Sequence, residues 1–221
     1  MATIKQGILG AFSGKVGSVV GSSWKGIPVM KSLPPSVANP KTAKQIEQRS
    51  RMKACTAFSQ SILADVIKPL NDRFASRMSG FNAFTSRNIA CFEGGALTDA
   101  ADVQISPMGN KAQLIDAIGA EVKPGKKEAK ITVETTSIAG SGKALATDKP
   151  YFVVFNRTTE KAFGLVPSYT RADEVMILEL PDDEFSPDDA VDVWAAFLRN
   201  DGTVVFETAY TDATFCEVSL M

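Results

Sequence analysis

The chain has 221 residues, 44% of them hydrophobic and 22% charged, with a formal net charge of −1, three cysteines and no histidine. That is the composition of a globular protein able to bury a core, large enough for one big domain or two small ones. The missing imidazole excludes Ser-His-Asp and Cys-His nucleophile systems, most zinc sites and the usual general base near neutral pH, and no apolar run approaches the ~20 residues that span a bilayer.

The chain opens with MATIKQGILGAFSGKVGSVVGSSWKGIPVMKS, in which Gly7, Gly10, Gly14, Gly17, Gly21 and Gly26 are interleaved with Ile, Leu, Phe, Val and Trp. Each glycine weakens a helix or strand by about 0.5–1 kcal/mol relative to alanine, yet the stretch is too apolar for a solvated linker. Such a segment becomes ordered by lying against something else. Residues 1–40 are therefore expected to be a Gly-rich extended assembly arm of strands or loops, with glycines where another backbone comes close. Gly7, Gly14 and Gly21 are seven apart, too few turns of a pattern for a solenoid. Lys5, Lys15, Trp24 and Lys25 are its candidate interaction residues; Trp24 is either an interface anchor or the plug of a small core. The glycines and Lys15 also make this a poor secretory signal, so synthesis in a cytoplasm is expected.

SLPPSVANPK (32–41) is a stop signal, since Pro34, Pro35 and Pro40 disfavour helix before them. Thr42 then starts a helix, with Gln45 in capping-box spacing. Phe58, Ile62, Val66 and Leu70 stand at i+4 steps and form one apolar stripe up to about Asn71, with Pro69 expected to kink or end the helix. Its early part is basic, and Arg49, Arg51 and Lys53 are candidates for contact with a polyphosphate or an acidic protein surface. A second helix is expected near Gly80–Phe92, ended by Gly94 and Gly95, making 41–96 a helical segment.

From about Leu97 the texture turns to β. KITVETT (130–136), YFVVFN (151–156), VMILEL (175–180), VDVWAAFL (191–198) and TVVFETAY (203–210) are strand-like, with weaker strands near Val103–Ile105 and Leu114–Val122. Asn200-Asp201-Gly202 is the strongest hairpin signal. About seven strands predict an immunoglobulin-like β-sandwich over 97–221, folding by itself with Trp194 filling its core. The fold class expected for the whole is α+β: arm, helical segment, sandwich. Cys55, Cys91 and Cys216 form no CxxC and read as buried thiols.

No motif carries chemistry. Gly140-Ser141-Gly142-Lys143 lacks the leading glycine and trailing Ser/Thr of a phosphate loop and reads as a loop between strands. The acidic stretch Pro181–Asp189 lacks calcium-loop spacing and reads the same way. No metal or cofactor is expected. Charge, however, is strongly divided: residues 1–55 carry +8, 56–90 carry +2 and 91–221 carry −11. This suits an arm for polyanions or head-to-tail contact between copies.

IKQGILGAFSGKVGSVVGSSWKG, KSLPPSV with NPKTAKQIEQRSR, ALATDKPYFVVFN, the Arg171 segment before VMILELP, and VWAAFLRNDGTVVFETAY together resemble domain of unknown function 6266, a family of Bacteroidetes chromosomes and phages. The NPKTxxQ…R segment is also similar to a motif of short phage structural proteins. The family's usual Trp near Val133 is absent here, and Glu207-Thr208 stands where Ser-rich sequence is common. The resemblance implies a phage or prophage context and carries over no functional residue. The expectation is thus a non-catalytic structural component of a virion, made in the bacterial cytoplasm, whose arm docks on neighbouring subunits. Its expected partners are itself, as a homo-oligomer, and other virion proteins, with no membrane. The alternatives are a nucleic-acid-associated protein using the basic N-terminal quarter, and a bacterial surface or adhesion module.

Overall fold

Between Thr3 and Ser32 the glycine-rich segment folds back on itself. Strands β1 (Thr3–Ile4), β2 (Phe12–Val16), β3 (Val19–Trp24) and β4 (Ile27–Ser32) form an antiparallel sheet in the order β1-β2-β3-β4. The segment is thus a small meander and not a single extended arm. The two-residue turn Gly17-Ser18 joins β2 to β3, with Gly17 at φ 57°, and Gly26 stands at φ 84° between β3 and β4. Gly14 and Gly21 are direct cross-strand partners. Phe12 lies over Gly21, where a Cβ would overlap both its ring and its carbonyl oxygen. The seven-residue glycine spacing is therefore the geometry of a hairpin centred on Gly17-Ser18.

The computed structural model describes residues 3–4, 10–24, 26–34, 36, 39–107, 115–123, 128–135, 145–173, 175–181, 184–186, 188–203, 208–214 and 216–217. They divide into two compact units, Met1–Thr42 and Ala43–Met221.

In the second unit α1 (Ala43–Ser61) begins directly after Thr42 and leads into a π-helical turn, Leu63–Ile67, and then α2 (Lys68–Asn71). The π turn sits where Pro69 requires it. Proline has no N–H for the carbonyl of Asp65, and one extra residue in the preceding turn accommodates its ring; Ile67 N accordingly donates to Ile62 O at 3.1 Å. Helix α3 (Gly80–Asn88) is capped by Ser79, whose Oγ accepts from Asn82 N at 3.3 Å. Gly80 is required there, because a Cβ would press on the Asp72 side chain that accepts its N–H. A 3₁₀ turn (Ile89–Cys91) leads to the hairpin β5 (Phe92–Glu93) and β6 (Ala96–Leu97), turned by Gly94 and Gly95 at φ 59° and 101°.

The remaining strands are β7 (Ile115–Lys123), β8 (Glu128–Thr135), β9 (Lys149–Asn156), β10 (Lys161–Leu165), β11 (Val175–Leu180), β12 (Ala190–Leu198), β13 (Ala209–Thr214) and β14 (Cys216–Glu217). They form two sheets, β10-β9-β12-β13 and β11-β8-β7-β14, antiparallel except for the parallel β14–β7 pair. The protein is thus a mixed α+β chain with few helices and several antiparallel sheets. Strand β8 buries Ala129, Ile131 and Val133, and β11 buries Met176, Leu178 and Leu180, each by simple alternation. Both strands face Phe152 and Val154 of β9 and Val191, Val193, Ala195 and Phe197 of β12.

The unbroken apolar runs of β9 and β12 have a different cause: these strands are covered on both faces. On the side away from β8 and β11, Tyr151, Val153, Phe155, Trp194 and Ala196 pack against Phe58, Ile62, Val66, Ile67 and Leu70 of the helices, and against Phe84 and Phe92. Trp194 therefore fills the core between sheet and helices, with its Nε1 donating to Ala100 O at 2.9 Å, and not the space between the two sheets. The change of texture near Leu97 marks no boundary between packing units.

The strand expected near Val103–Ile105 is not formed: Val103 and Ile105 are buried, Gln104 is exposed, and the segment belongs to no strand. Its backbone is held by side-chain amides: Gln104 N donates to Asn88 Oδ1 at 2.8 Å and Asn71 Nδ2 donates to Ile105 O at 3.0 Å. Of the strand expected at 203–210, residues 204–207 lie outside the described residues, and Ala209 and Tyr210 begin β13. Asp201 makes a local turn after β12, its Oδ1 accepting from Thr203 N at 2.8 Å. Strand β10 was not anticipated. It is set by Asn156, whose Oδ1 accepts from Thr158 N and Thr159 N at 2.8 and 3.2 Å and so starts the return turn.

Candidate functional site

The interaction residues singled out in the sequence lie, where they are described, on β2, β3 and α1. Lys5 and Lys25 lie outside the described residues. Lys15 is exposed on β2 opposite Val20, and Trp24 ends β3 opposite Ile27. About 100° per helical residue places Arg49 and Lys53 on one exposed face of α1, while Arg51 points to the other side. There Arg51 is neutralised by Glu47 at 2.6 Å and Glu93 at 2.8 Å. The three cannot act as one phosphate clamp. Of the two motifs set aside in the sequence, Gly140–Lys143 lies outside the described residues. Two described acids of the acidic stretch are engaged: Asp189 Oδ2 accepts from Ser186 N and Asn156 Nδ2, both at 2.8 Å, and Glu184 pairs with Lys161 at 2.6 Å. No cluster of three or more Cys, Asp or Glu suited to a metal occurs among the described residues, and none of their helices is long and apolar enough to cross a membrane.

A concave surface lies beside α1. Ala54, Ala57, Phe58 and Ser61 of the helix face Leu97 of β6 and Phe155, Ala162 and Phe163 of the sheet across a groove of about 440 Å3. Small side chains on α1 leave this space open. Its neighbour is a second cleft of about 590 Å3 that shares Ala96, Leu97, Phe155 and Glu160 and adds Asp99, Asp102, Arg157, Asp192 and Tyr210. Asp192, 1% exposed, receives both Nε and Nη2 of Arg157 and the Tyr210 hydroxyl at 2.7 Å. This pairing holds the Arg157 guanidinium above its ordinary pKa. Burial, reinforced by the bond to Asp192, pushes the Tyr210 phenol up to about 12. Burial and then the charges of Asp102 and Asp99 push the Cys91 thiol up to about 11. The cleft is thus acidic, with Asp99, Asp102, Glu160 and Asp192 in its lining against the single cation Arg157.

A second buried charge cluster closes one end of the sheets. Arg171, 3% exposed, reaches Asp148 at 3.3 Å and lies 3.9 Å over the Phe197 ring, while Asp148 Oδ2 also accepts from Leu145 N at 2.9 Å. Burial lowers the Arg171 pKa and Asp148 opposes that shift. The pair ties the 145–148 loop to the 170–173 loop and has no opening to solvent, which makes it architectural. The sequence shows none of these pairings, because each joins residues 18 or more positions apart; only the isolated acid Asp192 inside an apolar strand signals that a buried partner is needed.

A family model described as "Family of unknown function (DUF6266)" matches residues 11–212. No match occurs among curated proteins. Among solved structures, a family 76 glycoside hydrolase from a bovine Bacteroides thetaiotaomicron strain is 11% identical over 48% of this chain and 21% of that one, with a TM-score of 0.30. The fn3 domain of human contactin 1 is 12% identical over 52% of this chain and 87% of that one, with a TM-score of 0.29. The chain spans about a fifth of the hydrolase's length. Neither likeness is close enough to carry an argument.

Proposed function

The chain belongs to the DUF6266 family, and we propose that it is a non-catalytic structural protein, a component of a phage virion or prophage-derived particle, whose N-terminal sheet docks on a neighbouring subunit. The observation that carries this reading is the state of the Met1–Thr42 unit. Among those of its residues whose side chains are described only Gly21 is buried, while Val16, Ile27 and Met30 are 56%, 58% and 68% exposed. A single four-stranded sheet gains a core only when a face is covered, so its order is supplied by another surface. The absence of histidine supports a role without acid–base chemistry.

The second unit is read as an immunoglobulin-like sandwich. What supports this is strand distribution: in chain order β7 to β13 serve as A, B, C, C′, E, F and G, with A-B-E in one sheet and C′-C-F-G in the other. Such modules serve many roles, so the fold by itself assigns none. Nucleic-acid binding is disfavoured by the Arg51–Glu47 and Arg51–Glu93 pairs, which remove one of the few clustered cations.

Light scattering of the purified chain with and without residues 1–32 tests the proposal. Assembly is expected to vanish on deletion while β-type circular dichroism remains. Trp24→Ala is expected to weaken assembly by roughly 2 kcal/mol or more, an effect that persists at ~0.5 M salt, where charge contacts are screened. A truncated chain that assembles like the whole, or tight salt-sensitive DNA binding indifferent to Trp24, overturns it.

A further inference from the structure

We propose that the groove beside α1 is the acceptor for the N-terminal sheet of a second copy of this chain. The inference rests on the assembly reading above and names the surface that receives the sheet.

The acceptor combines an apolar floor with an acidic rim. Ala57, Leu97 and Phe155 form the floor, and Asp99, Asp102 and Glu160 border the adjoining cleft. The rim charge is available. Asp192 is neutralised by Arg157, and Lys161 by Glu184, whereas Asp99, Asp102 and Glu160 make no ion pair among the described residues. The same two aspartates raise the Cys91 thiol, an internal sign of the potential they create.

The donor has the complementary pattern. Residues 1–42 contain five lysines and no Asp or Glu. Register aligns Lys15 of β2, Val20 of β3 and Lys31 of β4 in one row across the sheet. At about 4.8 Å between strands, the two lysines stand roughly 10 Å apart with an apolar residue between them. A basic–apolar–basic row matches an apolar floor edged by carboxylates, whereas a polyanion is repelled by the same rim. A head-to-tail contact of this kind, sheet of one copy into groove of the next, is heterologous and builds rings or filaments. That is the geometry a structural subunit needs.

The test uses full-length variants in sedimentation experiments at low and high salt. Lys15→Glu with Lys31→Glu, and separately Asp99→Lys with Asp102→Lys, are each expected to raise the self-dissociation constant at least about tenfold by placing like charges together. All four substitutions in one chain are expected to restore association to within about threefold of the parent, a recovery that general destabilisation does not produce. Ala57→Arg, at an exposed position of α1, fills the groove and is expected to block association at any salt. All these sites are exposed, and thermal melts check that each variant folds. If the groove variants associate normally while deletion of 1–32 abolishes association, the groove is overturned and the assembly reading stands. If the deletion also associates normally, both fall. Failure of the fourfold variant to recover, or charge reversals that alter only the shape of a monomer, because the sheet rests on its own chain, also overturns the proposal.

Discussion

Phe58→Ala probes the junction between helices and sheet, because Phe58 is where four elements meet. Its ring centroid lies 6.3 Å from Phe84 of α3, 5.9 Å from Phe92 of β5, 5.8 Å from Phe155 of β9 and 5.9 Å from Trp194 of β12. The side chain is 6% exposed. Truncation removes roughly 120 Å2 of apolar surface, about 3 kcal/mol at 25 cal/mol per Å2. The neighbours belong to separate elements and cannot all close on the hole, so a cavity penalty of about 1–2 kcal/mol is added. The expected loss is about 4–5 kcal/mol, a third or more of a typical domain's stability, or roughly 10 °C or more in melting temperature for a unit of this size. Urea unfolding followed by tryptophan fluorescence measures it, with Phe58→Leu expected to cost about 1–1.5 kcal/mol and exposed Lys53→Ala within about 0.5 kcal/mol of the parent. A loss below about 1.5 kcal/mol for Phe58→Ala refutes the idea that this ring joins the helical and β layers into one cooperative core.

The same core predicts that a fragment of residues 97–221 exposes Tyr151, Val153, Phe155 and Trp194 and melts without a cooperative transition or aggregates; a sharp, reversible melt of that fragment shows the sheets to be self-sufficient. Alkaline pH is expected to destabilise the protein between about pH 9 and 12. Tyr210 at about 12 and Cys91 at about 11 have folded pKa values above those of the unfolded chain, so their contribution is complete below the unfolded values and is lost as pH rises through the folded ones. Tyr210→Phe is expected to remove the upper part of that limb and Cys91→Ala the lower part, read as urea midpoints against pH; unchanged limbs refute the assignment.

Much of the second unit was legible because local rules and tertiary packing agree there. The i+4 stripe Phe58–Leu70 marks the buried face of the helix, and Pro69 marks the irregular turn. VMILEL alternates as a half-buried strand does, and YFVVF and VDVWAAF read as strands from β-branched and aromatic content alone. What those runs could not disclose is which layer covers each face. A continuous apolar strand is equally consistent with burial between two sheets or between sheet and helix, and it is the tertiary packing that puts Trp194 on the helical side, with its ring edge-on to Phe58.

The candidate surface was largely hidden for the same reason. Composition and order along the chain determine that residues 1–55 are basic and 91–221 acidic, and that glycine repeats every seven residues before Ser22. Only folding decides that Gly14 pairs with Gly21, that Lys15 and Lys31 flank Val20, and that Arg51 is neutralised by a glutamate 42 residues away. Only folding places Asp99 and Asp102 beside Leu97 and Phe155. Periodicity and propensity are properties of neighbours in sequence, a few residues apart. A groove, an ion pair or a cross-strand row is made by residues that meet when chain entropy is exchanged for packing, and their identities follow from which faces the layers leave uncovered.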